Sequence, residues 1–81
     1  MQVRTLFFAA YRDTVGTPAL ELDLPEGATV GDLVVHLRRR GAPFDRLPEA
    51  PAVALNRTLV RGDAALAAGD EVAFLPPVAG G

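Results

Sequence analysis

The sequence contains no cysteine and no lysine, and its only histidine is His36. Without cysteine there can be no disulfide, thiolate metal site or cysteine nucleophile. One histidine excludes a histidine-based zinc site as well. All eight basic residues are arginine, which removes a Schiff-base or P-loop lysine and any internal lysine that could accept an isopeptide bond. The formal net charge of −2 argues against an electrostatic grip on nucleic acid. No apolar run approaches the ~20 residues of a membrane span, and the N-terminus lacks the basic and apolar regions of a signal peptide. The expectation is a soluble, cytoplasmic protein that binds no metal and has few groups with which to perform catalysis alone.

What is present suits one small domain. At 81 residues, 49% of them hydrophobic, such a chain buries only ~60–65% of the surface its unfolded form exposes. The segment "QVRTLFFA" is rich in β-branched and aromatic residues and reads as a strand. "AYRDTVG" reads as a short helical turn closed by Gly16, because glycine adopts the left-handed C′ conformation cheaply. "ALELDLP" alternates, with Leu20, Leu22 and Leu24 inward and Glu21 and Asp23 outward, until Pro25 ends it.

"TVGDLVVHLRRRG" carries the strongest helix signal. Thr29 suits the N-cap, and Asp32, three residues on, resembles a capping box and favours the helix dipole. Val30, Leu33, Val34 and Leu37 form one apolar stripe. Arg38, Arg39 and Arg40 occupy the last turn and Gly41 supplies the stop. They read as a solvated helix end rather than a basic binding patch, and His36 reads as surface. "APFDRLPEAP" is too proline-rich for a regular element, but Phe44 and Leu47 can tuck beneath it. "AVAL" and "LVR" read as short strands around a turn at Asn56, whose side chain can bond the local backbone. After "AALAAGD", "EVAFL" is the last strand. Asp70 and Glu71 read as structural turn and strand residues, not as a catalytic pair.

The order β-β-α-β-β-β with one main helix implies an α+β fold with a mixed sheet. One helix covers one face of that sheet. Alternation puts Phe7 and Phe74 on the covered face, and Leu6, Phe8 and Leu75 on the open one. Apolar residues clustered on an open face point to a partner surface.

"LFFAAYRDTVGT", "ALNRTLVRGDAAL" and "GDEVAFLPPVAGG" together resemble the small, sulfur-carrying subunits of molybdopterin synthase, the MoaD-like proteins. These belong to the ubiquitin-like β-grasp sulfur carriers. The resemblance spans nearly the whole chain and is densest over residues 52–81. It implies a β-grasp domain over residues 1–75, with about five strands on one main helix and the first and last strands as parallel neighbours. Residues 76–81 would form a flexible tail, with Phe8, Arg12, Leu59 and Leu75 as partner contacts.

The resemblance also implies a role for the tail. A ubiquitin-activating-like adenylyltransferase would use ATP to activate the carboxylate of Gly81, and a sulfur donor would convert it to a thiocarboxylate. The large synthase subunit, which carries the catalytic site, would take that sulfur to build the dithiolene of molybdopterin in a heterotetramer of two small and two large subunits. The carrier itself would hold no cofactor. The tail's composition fits this role: Gly80 and Gly81 have no side chains to obstruct a narrow active site. Pro76 and Pro77 lack backbone N–H groups and cannot continue the sheet. From Pro76 through Val78 and Ala79 to Gly81 the chain can reach ~20 Å when extended. Other clients, such as thiamine, cysteine or tRNA thiolation, share the fold and the Gly-Gly end, as does a ubiquitin-like protein modifier. A plain binding module with an inert tail is a further reading.

Overall fold

The computed structural model describes residues 1–76. Its strands are β1 (Gln2–Phe7), β2 (Ala19–Asp23), β3 (Ala52–Leu55), β4 (Thr58–Val60) and β5 (Glu71–Leu75). Two α-helices, α1 (Ala9–Val15) and α2 (Val30–Arg38), and a 3₁₀ turn at Phe44–Arg46 complete the order. The strands form one mixed sheet in the order β2-β1-β5-β3-β4. β1 and β5 are parallel neighbours at its centre, and the other pairs are antiparallel.

The alternation in the sequence sets the two faces. Val3, Thr5 and Phe7 of β1 are buried, as are Leu22 of β2, Val53 of β3, and Val72 and Phe74 of β5. They pack against the buried stripe of α2, formed by Val30, Leu33, Val34 and Leu37. Phe7 and Phe74 meet with ring centroids 5.3 Å apart, and Tyr11 of α1 approaches Phe74 edge-on at 6.3 Å. Thr5 is the one buried polar side chain among the described residues, and its Oγ1 has no hydrogen-bond partner.

The capping box at α2 is complete. Thr29 N–H donates to Asp32 Oδ2 at 2.9 Å, and Asp32 N–H donates to Thr29 Oγ1 at 3.2 Å. Helix first turns leave main-chain donors without partners inside the helix. Here two of them are taken by the loop before β5: Val30 N–H donates to Ala64 O at 3.0 Å and Gly31 N–H to Gly62 O at 2.8 Å.

Four local expectations are revised. The first strand stops at Phe7, and Phe8 is the extended N-cap of α1 (φ −118°, ψ 154°). The segment read as one helical turn is a seven-residue helix ended by Gly16 at φ 81°, whose N–H donates to Arg12 O at 2.8 Å. Arg38 does not simply point into solvent. Its Nε donates to Leu47 O at 2.8 Å and its Nη1 to Glu49 at 3.5 Å, tying the proline-rich segment down beside the buried Leu47.

Asn56 also acts differently from expectation. Asn56 and Arg57 form a two-residue turn between β3 and β4, both at positive φ (48° and 73°). The Asn56 side chain reaches the start of β5: its Oδ1 accepts from Glu71 N–H at 2.9 Å, and its Nδ2 donates to Asp70 Oδ1 at 3.0 Å. Asp70 Oδ2 accepts from Ala67 N–H at 2.7 Å. Asp70 thus holds a turn in place, in keeping with its structural reading.

Candidate functional site

The face of the sheet opposite α2 carries the candidate site. Strand register places Ala19, Leu6, Ala73, Ala54 and Leu59 in one row across all five strands. Three alanines make this row low, so Leu6 and Leu59 stand above it. Leu59 is 68% exposed.

A second apolar row lies alongside. β1 and β5 pair up to Phe7↔Phe74, so one step further Phe8 and Leu75 occupy neighbouring positions at the same end of the sheet. Ala52 of β3 pairs with Leu75 and extends that row. Phe8 is 46% exposed, while Leu75 is half-buried. A hollow of ≈ 250 Å³ opens beside Leu75, between Tyr11 and the Pro48–Ala52 segment. At the opposite end of the face the register is charged, with Arg4 paired to both Glu21 and Glu71. The surface therefore has an apolar centre and a polar edge, the anatomy of a protein interface.

The structure puts Phe8 and Leu75 on the open face, as the alternation implies, and the register puts Leu59 on the same face. Arg12 is exposed on α1, one helical turn after Phe8, and its N–H donates to Phe8 O at 3.4 Å. It lies at the Phe8 end of the face rather than within it. Pro76 follows β5 outside the strand. Pro77, Val78, Ala79, Gly80 and Gly81 lie outside the described residues.

Sequence reasoning set Ala73 with Leu75 on the open face by the parity of β5, but missed its partner Ala54 in the middle of the apolar row. The signal was weak, because β3 and β4 are only four and three residues long and such short strands show little alternation. Once Ala73 was set on the open face by the parity of β5, its partner Ala54 followed only from the register.

Similarity to known proteins runs the length of the chain. The sulfur carrier subunit of molybdopterin synthase from Escherichia coli is 42% identical, with 98% of this chain and 99% of that protein covered. The crystal structure of SAMP1, a small archaeal modifier protein of Haloferax volcanii, matches with a TM-score of 0.85 at 28% identity, each chain covered in full. A putative molybdopterin converting factor subunit 1 from Pyrococcus furiosus matches with a TM-score of 0.82 at 32% identity, over 96% of this chain and 99% of that one. The fold is the ubiquitin-like β-grasp, and the resemblance drawn from the sequence is borne out. The ThiS family pattern runs from Thr5, in the middle of β1, to Gly81, and the chain belongs to that family.

Proposed function

We propose that this chain is the sulfur carrier subunit of a molybdopterin synthase, working in the cytoplasm through the carboxylate of Gly81. The observation that carries the reading is full-length similarity to proteins of that name, together with an apolar open face beside the point where the chain leaves β5. The large subunit would dock on Phe8, Leu59 and Leu75, with Arg12 at the margin, while residues 76–81 enter its active site.

The chemistry asks for an accessible carboxylate rather than for catalytic side chains in the carrier. In a partner adenylyltransferase, a Gly81 carboxylate oxygen attacks the α-phosphorus of ATP and pyrophosphate leaves. Sulfur from a donor at the sulfide level then attacks the acyl carbon, and AMP departs with the former carboxylate oxygen. The resulting thiocarboxylate is a nucleophile that the synthase can direct at its pterin substrate. Glycines at the last two positions leave the acyl carbon unobstructed.

Similarity to a small archaeal modifier protein favours a second reading, conjugation of Gly81 to amines of other proteins. Activation of the carboxylate is shared, and the acceptor differs. Reconstitution with the adenylyltransferase, a sulfide source and the large subunit separates the two. The carrier reading expects sulfur transfer by the intact chain and none after Gly81 is deleted. Transfer by the truncated chain would refute it, and conjugates on other proteins' lysines would favour the modifier.

A further inference from the structure

Among the described residues three large apolar side chains are exposed: Phe8, Val35 and Leu59. Two of them belong to the open face. Val35 does not. It lies on α2, across the sheet, and is 48% exposed. It sits in a groove of ≈ 630 Å³ between the flank of α2 and Leu24 and Pro25, the two residues that follow β2, with His36, Arg39 and Arg40 also lining it.

The neighbouring strand is an edge. Phe7 N–H donates to Pro18 O and Leu24 N–H to Met1 O, each at 2.9 Å. Hydrogen-bonded positions alternate along an antiparallel pair. Leu20, Leu22 and Leu24 therefore turn their main-chain groups toward β1, and Glu21 and Asp23 turn theirs outward. An open edge beside an apolar groove can take an extended peptide as an additional strand. Main-chain hydrogen bonds then supply affinity, and the groove selects alternate side chains.

Charge narrows the occupant. Arg39 and Arg40 form no ion pair among the described residues, and Arg40 lies over the Phe44 ring at 5.6 Å. The groove's one carboxylate, Asp32, is held in the capping box, two helical turns or about 10 Å from Arg39. On the other side of an added strand, Glu21 and Asp23 project onto the open face, Glu21 without an ion pair among the described residues and Asp23 paired with the N-terminal ammonium at 3.1 Å. Positions facing α2 thus favour apolar and acidic side chains, and positions facing away favour neutral or basic ones.

We propose that the groove between β2 and α2 is a second docking site, taking an extended segment of a partner protein whose α2-facing positions are apolar and then acidic. It uses neither Leu59 nor Leu75, so it can be occupied while the open face is engaged. This inference stands independently of the carrier reading.

The test is an amide chemical-shift titration of the full chain with the capped peptide Thr-Ile-Lys-Val-Thr-Glu-Thr-Glu, up to about 1 mM. The expected shifts fall at Glu21, Asp23, Val35 and Arg39, with Leu59 and Leu75 unmoved. Arg39→Glu with Arg40→Glu should weaken binding about tenfold, and a peptide with Lys in place of each Glu should restore it, which shows that the variant is folded. Methylating the peptide nitrogens that face β2 should abolish binding. The proposal is overturned by the absence of shifts, by shifts centred on Leu59 and Leu75, by equal binding of the methylated peptide, or by charge reversal without effect.

Discussion

Phe7 and Phe74 pair across the only parallel ladder among the described strands, with ring centroids 5.3 Å apart on the covered face. Their successors, Phe8 and Leu75, are thereby turned to the other side. One register fixes both the core and the apolar end of the open face. The core pair anchors the place from which the C-terminal residues depart.

If that face docks the large subunit, changing its exposed members should affect binding more than folding. Phe8→Ala and Leu59→Asp remove apolar contact from residues that are largely exposed in the free chain. Each should raise the Kd for the large subunit about tenfold or more, as expected for apolar anchors that become buried at an interface, with little change in Tm. Leu75→Asp should do the same, at some cost in stability because Leu75 is half-buried. Titration calorimetry with the large subunit checks this, and unchanged affinity in all three variants would sink the docking surface.

Thr5 presents the opposite case, a polar group without a task. Its hydroxyl is buried and unpaired between Leu20 of β2 and Val72 of β5. A buried polar group with no partner costs roughly 1–3 kcal/mol in desolvation. Thr5→Val keeps the shape and the β-branch and removes that cost. We expect about 1 kcal/mol of added stability, a rise of roughly 4–8 °C in Tm for a domain of this size. Thermal unfolding by circular dichroism measures it, and a lower Tm would show that the hydroxyl is satisfied.

The turn between β3 and β4 makes two demands of different size. Arg57 is held at φ 73°, a conformation costing a non-glycine residue roughly 1–2 kcal/mol, whereas glycine adds roughly 0.5–1 kcal/mol of unfolded-state entropy. Arg57→Gly should therefore stabilise by about 0.5 kcal/mol. Asn56→Ala severs both side-chain links to Asp70 and Glu71 and should cost about 2 kcal/mol. Chemical denaturation of the two variants should move the midpoint in opposite directions, and a shared direction would contradict this account.

The legible features were those decided over short distances in the chain. The alternation in β1 and β5 set both faces, and Thr29 and Asp32 form their capping box from positions three apart. The stripe of Val30, Leu33, Val34 and Leu37 was read directly and is buried as a unit. What escaped were long-range choices. Arg38 left the solvated helix end because Leu47, nine residues on, offers a carbonyl. Asn56 reached past its own turn to Asp70 and Glu71, which the ladder between β3 and β5 brings alongside. The end of the first strand was also hidden, because Phe8 remains extended while serving as the cap of α1.

The site divided along the same line. Phe8 and Leu75 followed from parity, whereas Leu59 and Arg12 came from family resemblance. The alanine row that joins Leu6 to Leu59 needed the strand order. Ala54 carries no signal of its own, because a small side chain in a four-residue strand fits either face, whereas Ala73 follows from the parity of β5.

Whether Gly81 carries sulfur is decided by intact-mass spectrometry of an N-terminally tagged chain purified from its own cells. The expected result is a fraction heavier by one oxygen-to-sulfur exchange, localised by fragmentation to Gly81 and co-purifying with a synthase large subunit. An unmodified terminus under conditions of active cofactor synthesis, or Gly81 joined to lysines of other proteins, would contradict it.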